Sequence, residues 1–120
     1  MKILLVDDDI FLRDMYATKF SEKGDVVVGV QDGEEALRAV VSDTFDVIIM
    51  DMVMPGMTGI DLLNALKKID AAANSKCIVL SNQGEDSDME KAYQSGAVGY
   101  IIKADSIPSE VVEKVHQLVS

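Results

Sequence analysis

The chain has 120 residues, 48% hydrophobic and 27% charged, which suits one globular domain and excludes an intrinsically disordered chain. Acidic residues outnumber basic ones 21 to 11, and the formal charge of −10 argues against a nucleic-acid surface or a polybasic membrane anchor. The single cysteine, Cys77, has no internal disulfide partner and no apolar run nears a membrane span, so a soluble cytoplasmic domain is expected.

The start, Ile3 to Val6, is a short apolar run that ends in three aspartates, which suits a strand and not a signal peptide. Leu12, Met15, Tyr16 and Phe20 then fall on one helical face, and Gly24 stands where a helix ends. Val26 to Val30 reads as the second strand. Asp32 with Glu35 has the spacing of a capping box, opening a helix with Ala36, Leu37, Val40 and Val41 on its apolar face. A third strand runs from Val47 to Met50, and Thr58 is placed to cap a helix carrying Leu62, Leu63, Leu66 and Ile69. Asp70 to Ser75 reads either as a frayed helix end or as a loop. Ile78 to Leu80 is the fourth strand. The acidic run Glu85, Asp86, Asp88 and Glu90 then suits the positive end of a helix bearing Met89, Ala92 and Tyr93. After Gly96, Val98 to Ile102 forms the fifth strand. Pro108 opens a last helix with Val111, Val112, Val115, Leu118 and Val119 on one face.

The strand runs are continuously apolar, which predicts cover on both faces. Five such strands alternating with five helices predict an α/β, doubly wound fold around a parallel sheet. Ligands of such sheets bind beyond the carboxyl ends of the strands. There stand Asp7, Asp8 and Asp9 after the first strand, Asp51 after the third, Ser81 at the fourth and Lys103 after the fifth. Alone, an aspartate after a strand is a helix cap, the role expected of Asp9, and a lysine there is solvated. Together, three clustered carboxylates repel one another and favour a hard divalent cation, best Mg²⁺, with Mn²⁺ as the substitute. A lysine and a hydroxyl can hold phosphoryl oxygens, and an aspartate beside a metal is a competent nucleophile for phosphoryl transfer.

The segments Ile3-Leu4-Leu5-Val6-Asp7-Asp8-Asp9, Asp51-Met52-Val53-Met54-Pro55-Gly56-Met57-Thr58-Gly59, Leu80-Ser81 and Gly96-Ala97-Val98-Gly99-Tyr100-Ile101-Ile102-Lys103 carry a resemblance. Over its whole length the chain resembles the receiver domain of bacterial two-component response regulators, the CheY-like family. That resemblance implies a flavodoxin-like (βα)5 sandwich with five parallel strands in order 2-1-3-4-5. It implies Asp51 as phosphoacceptor, Asp8 as direct metal ligand, Asp7 acting through metal-bound water, and the backbone carbonyl of Val53 as a further ligand. Lys103 would contact the phosphoryl group, Ser81 would be the switch hydroxyl, and Tyr100 the aromatic that rearranges with it. Pro55 and Gly59 would shape the loop after Asp51, while Val53 and Gln83 lie where receivers tune hydrolysis.

The implied partners are a sensor histidine kinase or phosphotransfer protein and a downstream protein, with no nucleic acid and no membrane. Residues 1–120 form a single receiver domain without an output domain on this reading. It is expected to be a monomer, with dimerisation on phosphorylation as the alternative state. Three positions depart from the family pattern. Ala104 follows Lys103 where a cis proline is usual, and a cis peptide before alanine costs about 3–4 kcal/mol. Asn82 replaces a small residue, and Ser81 stands for threonine.

Two other functions compete. A haloacid-dehalogenase-type phosphatase would use Asp7 and Asp9, but Phe11 stands where that motif has threonine or valine, and the chain is short for the class. A receiver-like module that binds partners without phosphorylation would not need Asp51, Lys103 and the acid pair together. There is no P-loop motif. His116 lacks a supporting acid or base and is not read as a phosphohistidine. Cys77 reads as a buried thiol, and Met52, Met54 and Met57 as packing around Asp51.

Overall fold

In the computed structural model, which describes residues 1–120, the five apolar runs pair side by side into one parallel sheet. Its strands are β1 (Lys2–Val6), β2 (Val26–Val30), β3 (Val47–Met50), β4 (Lys76–Ser81) and β5 (Ala97–Ile102), in the order β2-β1-β3-β4-β5. Parallel strands need crossover connections, and the chain supplies a helix after each strand. These are α1 (Ile10–Glu22), α2 (Gly33–Ser42), α3 (Gly59–Leu66), α4 (Asp86–Gln94) and α5 (Pro108–Val119). The segment read as frayed helix or loop contains one 3₁₀ turn, Asp70–Ala72, and Ile69 lies beyond the end of α3.

Alternation along each strand divides the core into two layers. Leu4, Val6, Ile48, Met50 and Val79 face Ala36 and Val40 of α2, the leucines of α3 and Ala92 of α4. Ile3, Leu5, Ile49, Ile78 and Leu80 face Tyr16 and Phe20 of α1 and Val111, Val112 and Val115 of α5. Phe20 is wholly buried, and burial on that scale contributes about 1.5–3 kcal/mol. No helix is long and apolar enough to cross a membrane.

The expectation of cover on both faces holds for the central strands and fails at the rim. Val26 of β2 is 60% exposed and Val98 of β5 is 42% exposed, because these outermost strands lie at the margin of both helical layers. The stripes are likewise narrower than the sequence suggests, since Met15, Val41, Tyr93 and Leu118 are exposed.

Helix starts follow local chemistry. Asp9 caps α1, its carboxylate accepting from the Phe11 and Leu12 amides at 3.0 and 3.2 Å. Thr58 and Asp61 exchange reciprocal bonds of 3.1 Å at the start of α3. Asp32 caps α2, but the Glu35 carboxylate accepts from the Gln31 amide, one residue beyond the partner of a true box. Gly24 and Gly96, at φ +89° and +107°, close α1 and α4.

Candidate functional site

Four of the five strands, β1, β3, β4 and β5, deliver a polar residue to the same edge of the sheet. Asp7 prolongs β1, its amide bonded to the Val30 carbonyl, and the Asp51 amide bonds to Val6 in the same way. One carboxylate oxygen each of Asp7, Asp8 and Asp51 falls within a 4.8 Å cluster. Lys103, just beyond β5, reaches across to this group. Its ammonium donates to Asp7 Oδ2 at 2.9 Å and to Asp51 Oδ2 at 2.8 Å, with the lysine side chain only 7% exposed. No peptide bond in the chain is cis, so Lys103 attains this reach with Ala104 in place of proline.

The three aspartates differ in how firmly they are held. Asp7 is buried, and its second oxygen accepts from the Asp9 amide at 3.0 Å. Asp51 is half-buried, with Oδ1 accepting from the Val53 amide at 3.2 Å. Asp8 is exposed, and its carboxylate carries no hydrogen bond or ion pair. Val53 is 58% exposed, and no protein donor takes its carbonyl. The cluster therefore offers one free carboxylate and one oxygen on each of two anchored carboxylates. That oxygen-rich donor set fits Mg²⁺, which takes few protein ligands and keeps several waters.

Electrostatics tie the group together. Burial pulls the Lys103 ammonium down, but its bonds to Asp51 and Asp7 outweigh this and hold its pKa above the ordinary lysine value. One cation is thus shared between two of the three carboxylates, and a net negative charge remains.

The loop after Asp51 folds under the site, with Met52 and Met54 buried and Met57 packed at the edge of the core. The Gly59 amide closes this loop on the Met52 carbonyl at 2.9 Å. A side chain on Gly59 would place its Cβ 2.5 Å from the Asp51 carbonyl oxygen, so only glycine fits without moving the aspartate.

Ser81 ends β4, fully buried, and its Oγ accepts from the Gln83 amide at 3.2 Å. Tyr100, on the neighbouring strand, donates its phenol proton to the Gln83 carbonyl. Burial raises the Tyr100 phenol above its ordinary value, with the Ser81 hydroxyl pulling the other way. Asn82 is exposed.

Sequence reasoning missed two residues. Arg13 Nη1 donates to the Asp7 carbonyl at 2.8 Å. Tyr16 is buried below the cluster, where burial raises its phenol pKa, Lys103 lowers it, and Asp7 and Asp51 raise it further. No local motif marks either. His116 has an acid partner after all, since Asp25, buried at the start of β2, lies 2.6 Å from its Nε2. That pair sits at the opposite end of the sheet from the three aspartates, and Asp25 also binds the Met1 ammonium at 3.0 Å. Cys77 is buried, and burial pushes its thiol up to about 11.

Comparison with known proteins bears directly on this edge. A family model described as the response regulator receiver domain matches residues 3–116. Chemotaxis protein CheY of Thermotoga maritima is 35% identical over 118 residues, covering 98% of this chain and 96% of that protein. The two-component response regulator PhoP of Pseudomonas aeruginosa is 34% identical over 103 residues. That match spans 86% of this chain and 45% of PhoP, so the chain is about half that relative's length. The response regulator TrrA of Thermotoga maritima, solved in complex with Mg²⁺-BeF, superimposes with a TM-score of 0.83 at 28% identity. The overlap covers 98% of this chain and 97% of TrrA.

Proposed function

This chain belongs to the response regulator receiver domain family, and from that premise we infer that Asp51 is its phosphoacceptor. The family signals by phosphorylation, acts with histidine kinases and downstream targets, and is in general non-enzymatic. The single observation that carries the assignment is the position of Asp51. It is the one member of the cluster that is both held by Lys103 and partly open to an incoming donor.

In the transfer, an Asp51 carboxylate oxygen forms the new bond to phosphorus while the donor's bond to phosphorus breaks, with phosphohistidine of a sensor kinase or phosphotransfer protein as donor. Asp8, the Val53 carbonyl and Asp51 would hold Mg²⁺ or Mn²⁺, with Asp7 acting through a metal-bound water. When bound, the metal neutralises charge on the phosphoryl oxygens and on the carboxylates. Lys103 exchanges part of its contact with Asp51 for a phosphoryl oxygen, and Ser81 turns its hydroxyl toward another. Tyr100 follows Ser81 through the backbone of Gln83, whose carbonyl and amide they respectively bind. The output is altered affinity for a downstream protein, in the cytoplasm where a kinase's phosphohistidine is presented.

The phosphatase alternative would make Asp7 the nucleophile and Asp9 its partner. Asp7 is 2% exposed and Asp9 is committed to capping α1, so the geometry disfavours it. Intact-mass spectrometry after treatment with acetyl phosphate tests the main reading. Wild type should gain one phosphoryl group only with Mg²⁺ present, and Asp51→Asn none. Equal labelling of the variant, or labelling indifferent to chelator, rejects the assignment.

A further inference from the structure

Resting on that reading, we infer that Arg13 is a positioning residue that aims Asp8 at the metal through the backbone. Arg13 lies in the first turns of α1 and folds back toward β1, where Nη1 donates to the Asp7 carbonyl at 2.8 Å. This carbonyl stands at the point where the chain leaves the sheet. The Asp7 side chain is already committed, with one oxygen to the Asp9 amide and the other to Lys103. Asp8, by contrast, has no side-chain partner.

A peptide unit is planar, so fixing the carbonyl of Asp7 also fixes the nitrogen and Cα of Asp8. Arg13 thereby sets the direction from which the free carboxylate projects, without touching it. The arginine is itself held in place. Its stem crosses β2 at Gly29, where an added Cβ would fall 3.1 Å from Cδ and 3.3 Å from Cγ and Nε. Gly29 pairs with Leu5 in the β1–β2 register, so an edge strand without a side chain at this place makes room for the stem.

Charge and position predict opposite signs. The guanidinium repels a cation, so deleting its charge alone would tighten Mg²⁺ binding. Losing the backbone anchor would weaken it, since partners that orient a metal ligand are typically worth about 10–100-fold in affinity.

The test is Mg²⁺ titration by calorimetry on wild type, Arg13→Met, Arg13→Lys and Gly29→Val, with the ¹³C shift of the Asp7 carbonyl recorded for each. Arg13→Met, which keeps an apolar stem, should bind Mg²⁺ about 10-fold more weakly and shift the Asp7 carbonyl resonance. Arg13→Lys should fall between it and wild type. Gly29→Val retains the guanidinium but crowds its stem, and should weaken binding while displacing the same resonance. Should Arg13→Met fail to fold, Gly29→Val decides by itself. Unchanged or tighter binding in Arg13→Met, binding by Arg13→Lys weaker than by Arg13→Met, or an unaffected Gly29→Val would overturn the inference. If wild type bound no Mg²⁺, the phosphoacceptor reading would fall instead.

Discussion

Lys103 Nζ lies 2.8 Å from Asp51 Oδ2 while donating at 2.9 Å to Asp7, joining residues 52 and 96 positions away along the chain. Removing one partner of a buried ion pair costs about 3–5 kcal/mol, because the charge left behind is uncompensated. Lys103→Met should therefore melt well below wild type in chelator, and Mg²⁺ should restore more stability to it than to wild type. Equal melting temperatures in chelator would show that the bridge does not stabilise the fold. The effect has a defined pH range. Burial lowers the lysine's pKa, its contacts with Asp51 and Asp7 raise it more, and the folded value stands above the ordinary 10.5. The contribution is complete below that ordinary value and is lost only as pH rises through the higher folded one.

Asp8 is the unattached member of the cluster, so its removal should act through the metal alone. A site filled to 100 times its dissociation constant adds about 2.7 kcal/mol of stability. Asp8→Ala should lose most of that Mg²⁺-induced melting shift while remaining at least as stable as wild type in chelator, because it relieves repulsion. A full Mg²⁺ shift in this variant would remove Asp8 from the ligand set.

Ser81 and Tyr100 both bind the backbone of Gln83, one at its amide and the other at its carbonyl. A charge-assisted bond from Ser81 to a phosphoryl oxygen is worth roughly 1.5–3 kcal/mol, which biases a two-state balance about 10- to 100-fold. That falls short of the roughly 10⁴-fold needed for a complete flip, so a partner should finish the change. NMR with beryllofluoride should show Tyr100 and α4 shifting in wild type and much less in Ser81→Ala. Identical responses would route the switch elsewhere.

Cys77 gives the chain a signature at high pH. Its buried thiol titrates at about 11 against an ordinary 9.0, so between those values the unfolded chain releases a proton that the folded chain keeps. Stability should fall across this window by about 2–3 kcal/mol on account of this group. Denaturation measured from pH 8 to 11 should be less steep with pH in Cys77→Ala. Parallel curves would show that the thiol does not feel its burial.

Much of this was legible in the sequence because strand ends, caps and helix-opening prolines are local signals. Asp7, Asp51, Ser81 and Lys103 each follow an apolar run, and a doubly wound sheet gathers such positions without further information. What escaped depends on pairs distant in sequence. The role of Arg13 requires Gly29 beside it, and the buried carboxylate of Asp25 requires His116, 91 residues away. Val26 and Val98 misled for another reason. Valine favours extended backbone wherever a strand runs, so an apolar run identifies a strand without saying whether it lies at the centre or the rim.

That distinction between centre and rim also divides labour. Asp51 follows β3, flanked by β1 and β4 through hydrogen bonds on both sides, whereas Tyr100 lies in β5 and Lys103 just beyond it, and β5 is laced to β4 alone, with an irregular register near Cys77 and Ile78. The anvil is clamped twice and the lever once. A displacement of β5 strains one seam instead of two, so the chain can reshape its outer edge while the bed on which the bond is made stays still.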